Sequence, residues 1–168
     1  LTYVMGVFDG NSTASNPDSN LMWAGRVSYN LWNVEKNPGY YTSSGYYGNA
    51  GDVFTIAAAT QYQENGVGST AANSADFWGS TVDVLMEKVL GDGGVITAEG
   101  EWKHFELKGH GAGSTQIATA NVPGNIFEGN AYTGTLLYLI PGKVGIGQFQ
   151  PYTRYKPHKG SGTGRAKH

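Results

Sequence analysis

A chain of 168 residues with net charge −2 and 14% charged side chains carries no field strong enough to hold nucleic acid. It has no cysteine, which excludes disulfide staples and thiolate metal centres. Its longest strictly apolar run, from Leu136 to Ile140, falls far short of the ~20 residues a spanning helix needs, whereas a barrel strand needs only about 9–11 of alternating character.

No helical period runs through the chain. Clusters of Gly, Asn, Ser and Asp divide it into seven alternating segments, each predicted as a strand. The first, 1–9, is patterned from Leu1 onward, so no signal peptide is expected there. The second, 22–32, sets Trp23, Gly25, Val27, Tyr29 and Leu31 against Arg26, Ser28 and Asn30. The third, 53–64, sets Phe54, Ile56, Ala58, Thr60 and Tyr62 against Thr55, Gln61 and Gln63. In the fourth, 77–90, the stripe Trp78, Ser80, Val82, Val84, Met86 opposes Gly79, Thr81, Asp83, Leu85, Glu87. In the fifth, 95–106, Ile96, Ala98, Gly100 and Trp102 oppose Thr97, Glu99, Glu101 and Lys103. The sixth, 130–140, is apolar on both faces after Tyr132, as for a strand whose inner side is covered by a loop or a subunit contact. The seventh is 147–156.

Each clear stripe has small residues at its centre and Trp or Tyr near an end, which suits rings at a polar–apolar boundary. Lys88 is the misfit, on the apolar face beside a turn. At a rim its ammonium reaches polar headgroups while its stem stays in lipid.

The connections differ in kind. "GDGG" and "PGKVGI" are tight turns between antiparallel strands. "GNSTASNPDSN", "NGVGSTAANSA" and the stretch from Lys108 to Gly129 are long and polar. "NVEKNPGYYTSSGYYGNAGD" breaks the short class, and its tyrosines predict that it packs. That segment aside, long and short connections alternate, as in a transmembrane barrel with short periplasmic turns and long outer loops. The same strand alternation describes a soluble β-sandwich, whose apolar stripe faces a core.

Catalytic and metal chemistry is not indicated. His104, His110, His158 and His168 have no ligand spacing, and Glu101 and His104 fall on opposite faces of a strand. Asp9, Asn11 and Asp18 are oxygen donors for calcium only if their loop is more than an ordinary polar one. "KGHGAGS" lacks the glycine spacing of a phosphate cradle, and there is no Gly-x-Ser-x-Gly elbow. No enzyme activity and no cofactor is expected.

Three stretches carry a resemblance: "AGRVSYNLWNVEKNPGYYTSSGYYGNAGDVFTIAAATQYQ", "STVDVLMEKVLGDGGVITAEGEW" and "YLIPGKVGIGQFQPYTRY". Their Pro-Gly-Tyr-Tyr turn, Glu-Lys-Val-Leu-Gly hairpin and Lys-Val-Gly-Ile-Gly-Gln segment before Gln-Pro-Tyr resemble Gram-negative outer-membrane porins related to the phosphate-selective porin family. The resemblance spans about Leu1 to Tyr155. It implies an all-β, antiparallel transmembrane β-barrel of about 16 strands, assembled as a homotrimer, of which this chain is an interior piece of about seven strands. It also implies an outer-membrane location, lipid as the surrounding partner, and passive diffusion of small hydrophilic solutes or ions.

On that reading the turn at Asp92–Gly94 lies at the periplasmic rim, and the water-facing stripe lines a pore. The pore-lining candidates are Arg26, Asp83, Glu87, Glu99, Glu101, Lys103, Arg154 and Lys156. Their mixed sign departs from the Arg- and Lys-lined path expected for phosphate, so a general diffusion pore is the expectation. Two other readings stay open. One is a soluble all-β carbohydrate-binding module offering Tyr40, Tyr41, Tyr46 and Tyr47 as stacking platforms. The other is a non-conducting structural barrel.

Overall fold

A computed structural model describes residues 1–9, 20–34, 47–68, 74–108 and 129–160. Over these the protein is all β: β1 (Thr2–Phe8), β2 (Met22–Asn30), β3 (Val53–Gly68), β4 (Ser74–Val89), β5 (Val95–Lys108), β6 (Gly129–Leu139), β7 (Tyr152–Tyr155) and β8 (His158–Gly160). Each strand pairs antiparallel with the next from β1 to β7. β8 lies further along the same edge of β6. The sheet is therefore seven strands wide. It does not close on itself: β1 pairs with β2 alone, and β7 and β8 with β6 alone.

The turns explain the register. Between β4 and β5 the Leu90 and Gly93 amides donate to Gly94 and Leu90 carbonyls at 2.8 and 3.0 Å. Asp92 Oδ1 accepts the Gly94 amide at 2.9 Å, and Gly93 sits at φ +86°, where a side chain is strained. That turn locks Val89 opposite Val95, which fixes which residues of both strands share a face.

Two predicted boundaries are corrected. The polar stretch "NGVGSTAANSA" is not a long loop, because β3 and β4 extend through it to pair Gly68 with Ser74. A bulge between Gln63 and Val67, with Asn65 at φ +50°, absorbs the irregularity. The seventh segment is also shorter than expected. Pro151 and Pro157 cannot donate to a ladder and bound β7 to four residues, and the chain resumes as β8 after Pro157.

The two faces differ in exposure. One carries Trp23, Val82 and Leu136 at 57%, 43% and 51% exposed; the other buries Thr55, Ala57, Leu85, Thr97, Thr135 and Leu137. In a flat single sheet, β2 and β7 would lie about 24 Å apart, five spacings of about 4.8 Å. Yet Arg26 of β2 and Arg154 of β7 line one hollow. The sheet is therefore concave toward the face that carries the charges.

Candidate functional site: a charged hollow on the concave face

The strand register stacks the concave face in layers. Ala59, Thr81, Lys103 and Ala131 form one row, with Arg26 at its β2 end. Toward the turns comes Ser28, Ala57, Asp83, Glu101 and Thr133. Next is Asn30, Thr55, Leu85, Glu99, Thr135 and Arg154. The charges thus occupy three adjacent rows. They surround a hollow of about 450 Å³ lined by Arg26, Asp83, Glu99, Glu101, Lys103, Arg154 and Lys156, seven of the eight residues picked out in the sequence.

Within the hollow most charges are paired. Arg26 reaches over β3 to Asp83 with two hydrogen bonds, at 2.7 and 2.8 Å. The strand it crosses presents only Ala57 and Ala59 there, so nothing blocks the guanidinium. Lys103 Nζ lies 3.0 Å from Glu101 two residues away on β5. Arg154 donates from Nε to Thr135 Oγ1 at 3.0 Å and approaches Glu99 at 3.8 Å. Lys156 makes no ion pair among the described residues.

Apolar layers bracket this band. At the loop end Ala75, Phe77 and Leu107 form a buried cluster, with Phe105 stacked on Phe77 at 6.0 Å. A second hollow of about 360 Å³ on the β1 side is lined by Val4, Phe8, Ala24, Ala59, Gly79 and Phe105, with Arg26 and Lys103 shared between the two. At the turn end Val53, Val95, Leu137 and Leu139 are buried.

Glu87 belongs to that turn-end layer and does not line the charged hollow. It is 0% exposed, and Thr97 Oγ1 donates to its carboxylate at 3.3 Å. This corrects its assignment as a pore-lining residue. The end of the β2–β3 connection lies against this part of the concave face, where a Cβ on Gly48 would sit 2.8 Å from Val95 Cγ2 and 3.1 Å from Val89 Cγ2. With Glu87 withdrawn, four cations face three carboxylates in the hollow.

The convex face resolves the Lys88 misfit. Its ammonium pairs with Asp52 and stands 5.5 Å from the centre of the Trp32 ring. Asp52 also accepts the Val89 amide at 2.9 Å. The Lys88 hydrogen bond, followed by that amide, holds the Asp52 carboxyl below its ordinary pKa. The sequence showed Lys88 as an anomaly, but nothing in it pointed to Asp52, 36 residues away.

Of the other sequence candidates, Glu101 faces the hollow while His104 bonds Asn130 on the convex side at 3.2 Å. Among the described residues no cluster of three His, Cys, Asp or Glu can hold a metal. Tyr40, Tyr41, Tyr46, Asn11, Asp18, His110 and His168 lie outside the described residues; Tyr47 is described and exposed. Compared with family models, curated proteins and solved structures, the chain matches none.

Proposed function

We propose that the chain forms part of the wall of a transmembrane β-barrel porin in the outer membrane of a Gram-negative bacterium. The convex face meets lipid, and the concave face lines a water-filled path for small hydrophilic solutes or ions. One observation carries this reading: a single curved sheet presents large apolar residues on its open convex side and seven charged residues on its hollow side. A soluble sandwich needs the reverse, with the apolar stripe covered and the charges outside. The open edges at β1 and β7 fit the same proposal, because strands must pair all round before a sheet can span lipid. The four cations against three carboxylates favour a weak preference for anions. The homotrimer implied by the family resemblance is part of the proposal.

The covered turn end favours a second reading, a barrel with no open path. Glu87, Thr97 and Val53 are fully buried there, and Gly48 lies against the neighbouring Val89 and Val95. Single-channel recording of the full-length protein in a planar bilayer separates the two. Discrete conductance steps, in groups of three for a trimer, are expected for the pore. Insertion without steps selects the closed wall, and failure to enter the bilayer removes both.

A further inference from the structure

The two hollows of the concave face share Arg26 and Lys103 but not the carboxylates that pair with them. Asp83 and Glu101 line the charged hollow, whereas among the described residues no acid lines the smaller one. Register causes this division. Arg26 and Lys103 share the row through Ala59 and Thr81, while Asp83 and Glu101 belong to the next row toward the turns. The ion pairs therefore point their cations at both hollows and their anions at one.

On the loop side of the cations the wall becomes apolar. The adjoining row runs Gly6, Ala24, Gln61, Gly79 and Phe105. Small residues on β2 and β4 keep its floor low, and rings stand at its flanks. On β1 the Phe8 ring folds back over Gly6, where a Cβ would meet Phe8 Cζ at 2.7 Å. On β5 Phe105 is held by stacking on Phe77. Gln61 leans across Gly79, where an added Cβ would lie 3.1 Å from both its Cγ and its Nε2.

The cations converge on the turn end of this trough. Arg26 starts on β2, but its reach to Asp83 carries the guanidinium to β4, the strand beside Lys103. Asp83 takes two of the five guanidinium N–H groups. The Arg26 and Lys103 side chains are 46% and 42% exposed, so both stay open to a second anion. A bare inorganic ion suits the trough poorly, because the apolar wall replaces none of its hydration. A solute with one negative end and a flat apolar body suits both parts. The volume of about 360 Å³ is ample, since a cavity of about 150 Å³ already holds benzene.

We infer that the smaller hollow is a binding site for an aromatic monocarboxylate. Its ring lies against Phe105 and the floor from Ala24 to Gly79, and its carboxylate lies between Arg26 and Lys103. The inference rests on the porin reading for its place on a solute path, and it names the solute class that reading leaves open.

The test is binding of para-fluorobenzoate to the full-length protein in detergent micelles, followed by fluorine NMR line broadening with empty micelles as the blank. Saturable broadening is expected. Benzoate should displace the probe at about tenfold lower concentration than acetate, inorganic phosphate or benzyl alcohol, which lack the ring, the apolar body and the charge respectively. Asp83→Asn releases Arg26 and is expected to tighten the probe by up to about fivefold, the worth of a half-exposed ion pair. Ala24→Leu raises the floor and is expected to weaken it about tenfold. Should Ala24→Leu fail to fold, the displacement series and Asp83→Asn still decide. Equal potency of acetate or phosphate marks a plain anion site and overturns the inference. Equal potency of benzyl alcohol, or an Asp83→Asn protein that binds no tighter, removes the cations from the site and overturns it too. Absence of saturable broadening, as when another segment of the chain fills the trough, has the same effect. Conductance steps without probe binding sink this site and leave the pore standing. Probe binding without conductance removes the pore and leaves the site.

Discussion

Arg26 holds Asp83 from two strands away, the guanidinium passing over a strand whose crossing positions are Ala57 and Ala59. The pair is half-open to solvent, at 46% and 30% exposed, so it contributes at most about 1 kcal/mol to stability. Its consequence is electrostatic: it cancels the one arginine placed over the middle of the concave face. Asp83→Asn is therefore expected to fold normally and shift ion preference toward anions. Reversal potentials in a salt gradient measure this, and an unchanged potential would mean that Asp83 does not face the path. Ala57→Leu blocks the crossing but retains both charges, so it is expected to shift ion preference less than Asp83→Asn does.

Val84 stands one residue from Asp83 on the opposite face. On the proposed reading Val84 faces lipid, so Val84→Asp places a carboxylate in the apolar convex face. A charge at mid-bilayer costs about 2–4 kcal/mol for a cation, somewhat less for an acid, and is expected to suppress assembly. Heat-modifiable gel mobility distinguishes folded from unfolded barrel, and equal tolerance of Val84→Asp and Asp83→Asn would contradict the assignment of faces.

Glu87 and Glu99 separate a buried carboxylate from a lining one. Glu99→Gln removes a charge from the hollow and is expected to raise anion preference. Glu87→Gln is expected to leave conductance and selectivity unchanged, because its side chain is sealed against Thr97. Glu87→Ala, which strands the Thr97 hydroxyl, should cost about 1–3 kcal/mol in stability, read from the urea midpoint.

Asp52 gives the turn end a pH dependence. Its folded pKa is depressed, so its contribution is fully present above the ordinary carboxylate value and is lost as pH falls through the folded one. Melting temperature should therefore decline below pH about 4, and Asp52→Asn should flatten that part of the profile. A profile unaltered by Asp52→Asn assigns the acid sensitivity to another group.

Gly48 tests the packing at the turn end. It sits at φ +73°, and a Cβ there would press on Val95. Gly48→Ala is expected to cost about 1–2 kcal/mol from the backbone alone. The steric part should be partly relieved by adding Val95→Ala, and thermal melts of the single and double variants measure the coupling.

The strand centres and their faces were legible because a period of two survives in any sheet: Val82, Val84 and Met86 share one side of β4 whatever lies beyond it. The extra length of β3 and β4 was hidden, since "NGVGSTAANSA" has turn composition and its pairing depends on a bulge. The charged positions could be picked out singly, but their pairing could not. Arg26 meets Asp83 only because β3 lies between them and is small there, a fact of register rather than of either residue. Glu87 was misplaced for a similar reason. Alternation gives the side of a strand on which a residue lies, but not how deeply it is buried there.

The two unpaired borders of the sheet have a practical consequence. Among the described residues the outer edge of β1 pairs with no strand, and side chains such as Met5 are 80% exposed there. Such a margin templates any extended segment it meets. Produced alone in aqueous buffer, this polypeptide should stack copy upon copy into ribbons of indefinite mass, and short peptides that mimic a neighbouring strand should cap their growth.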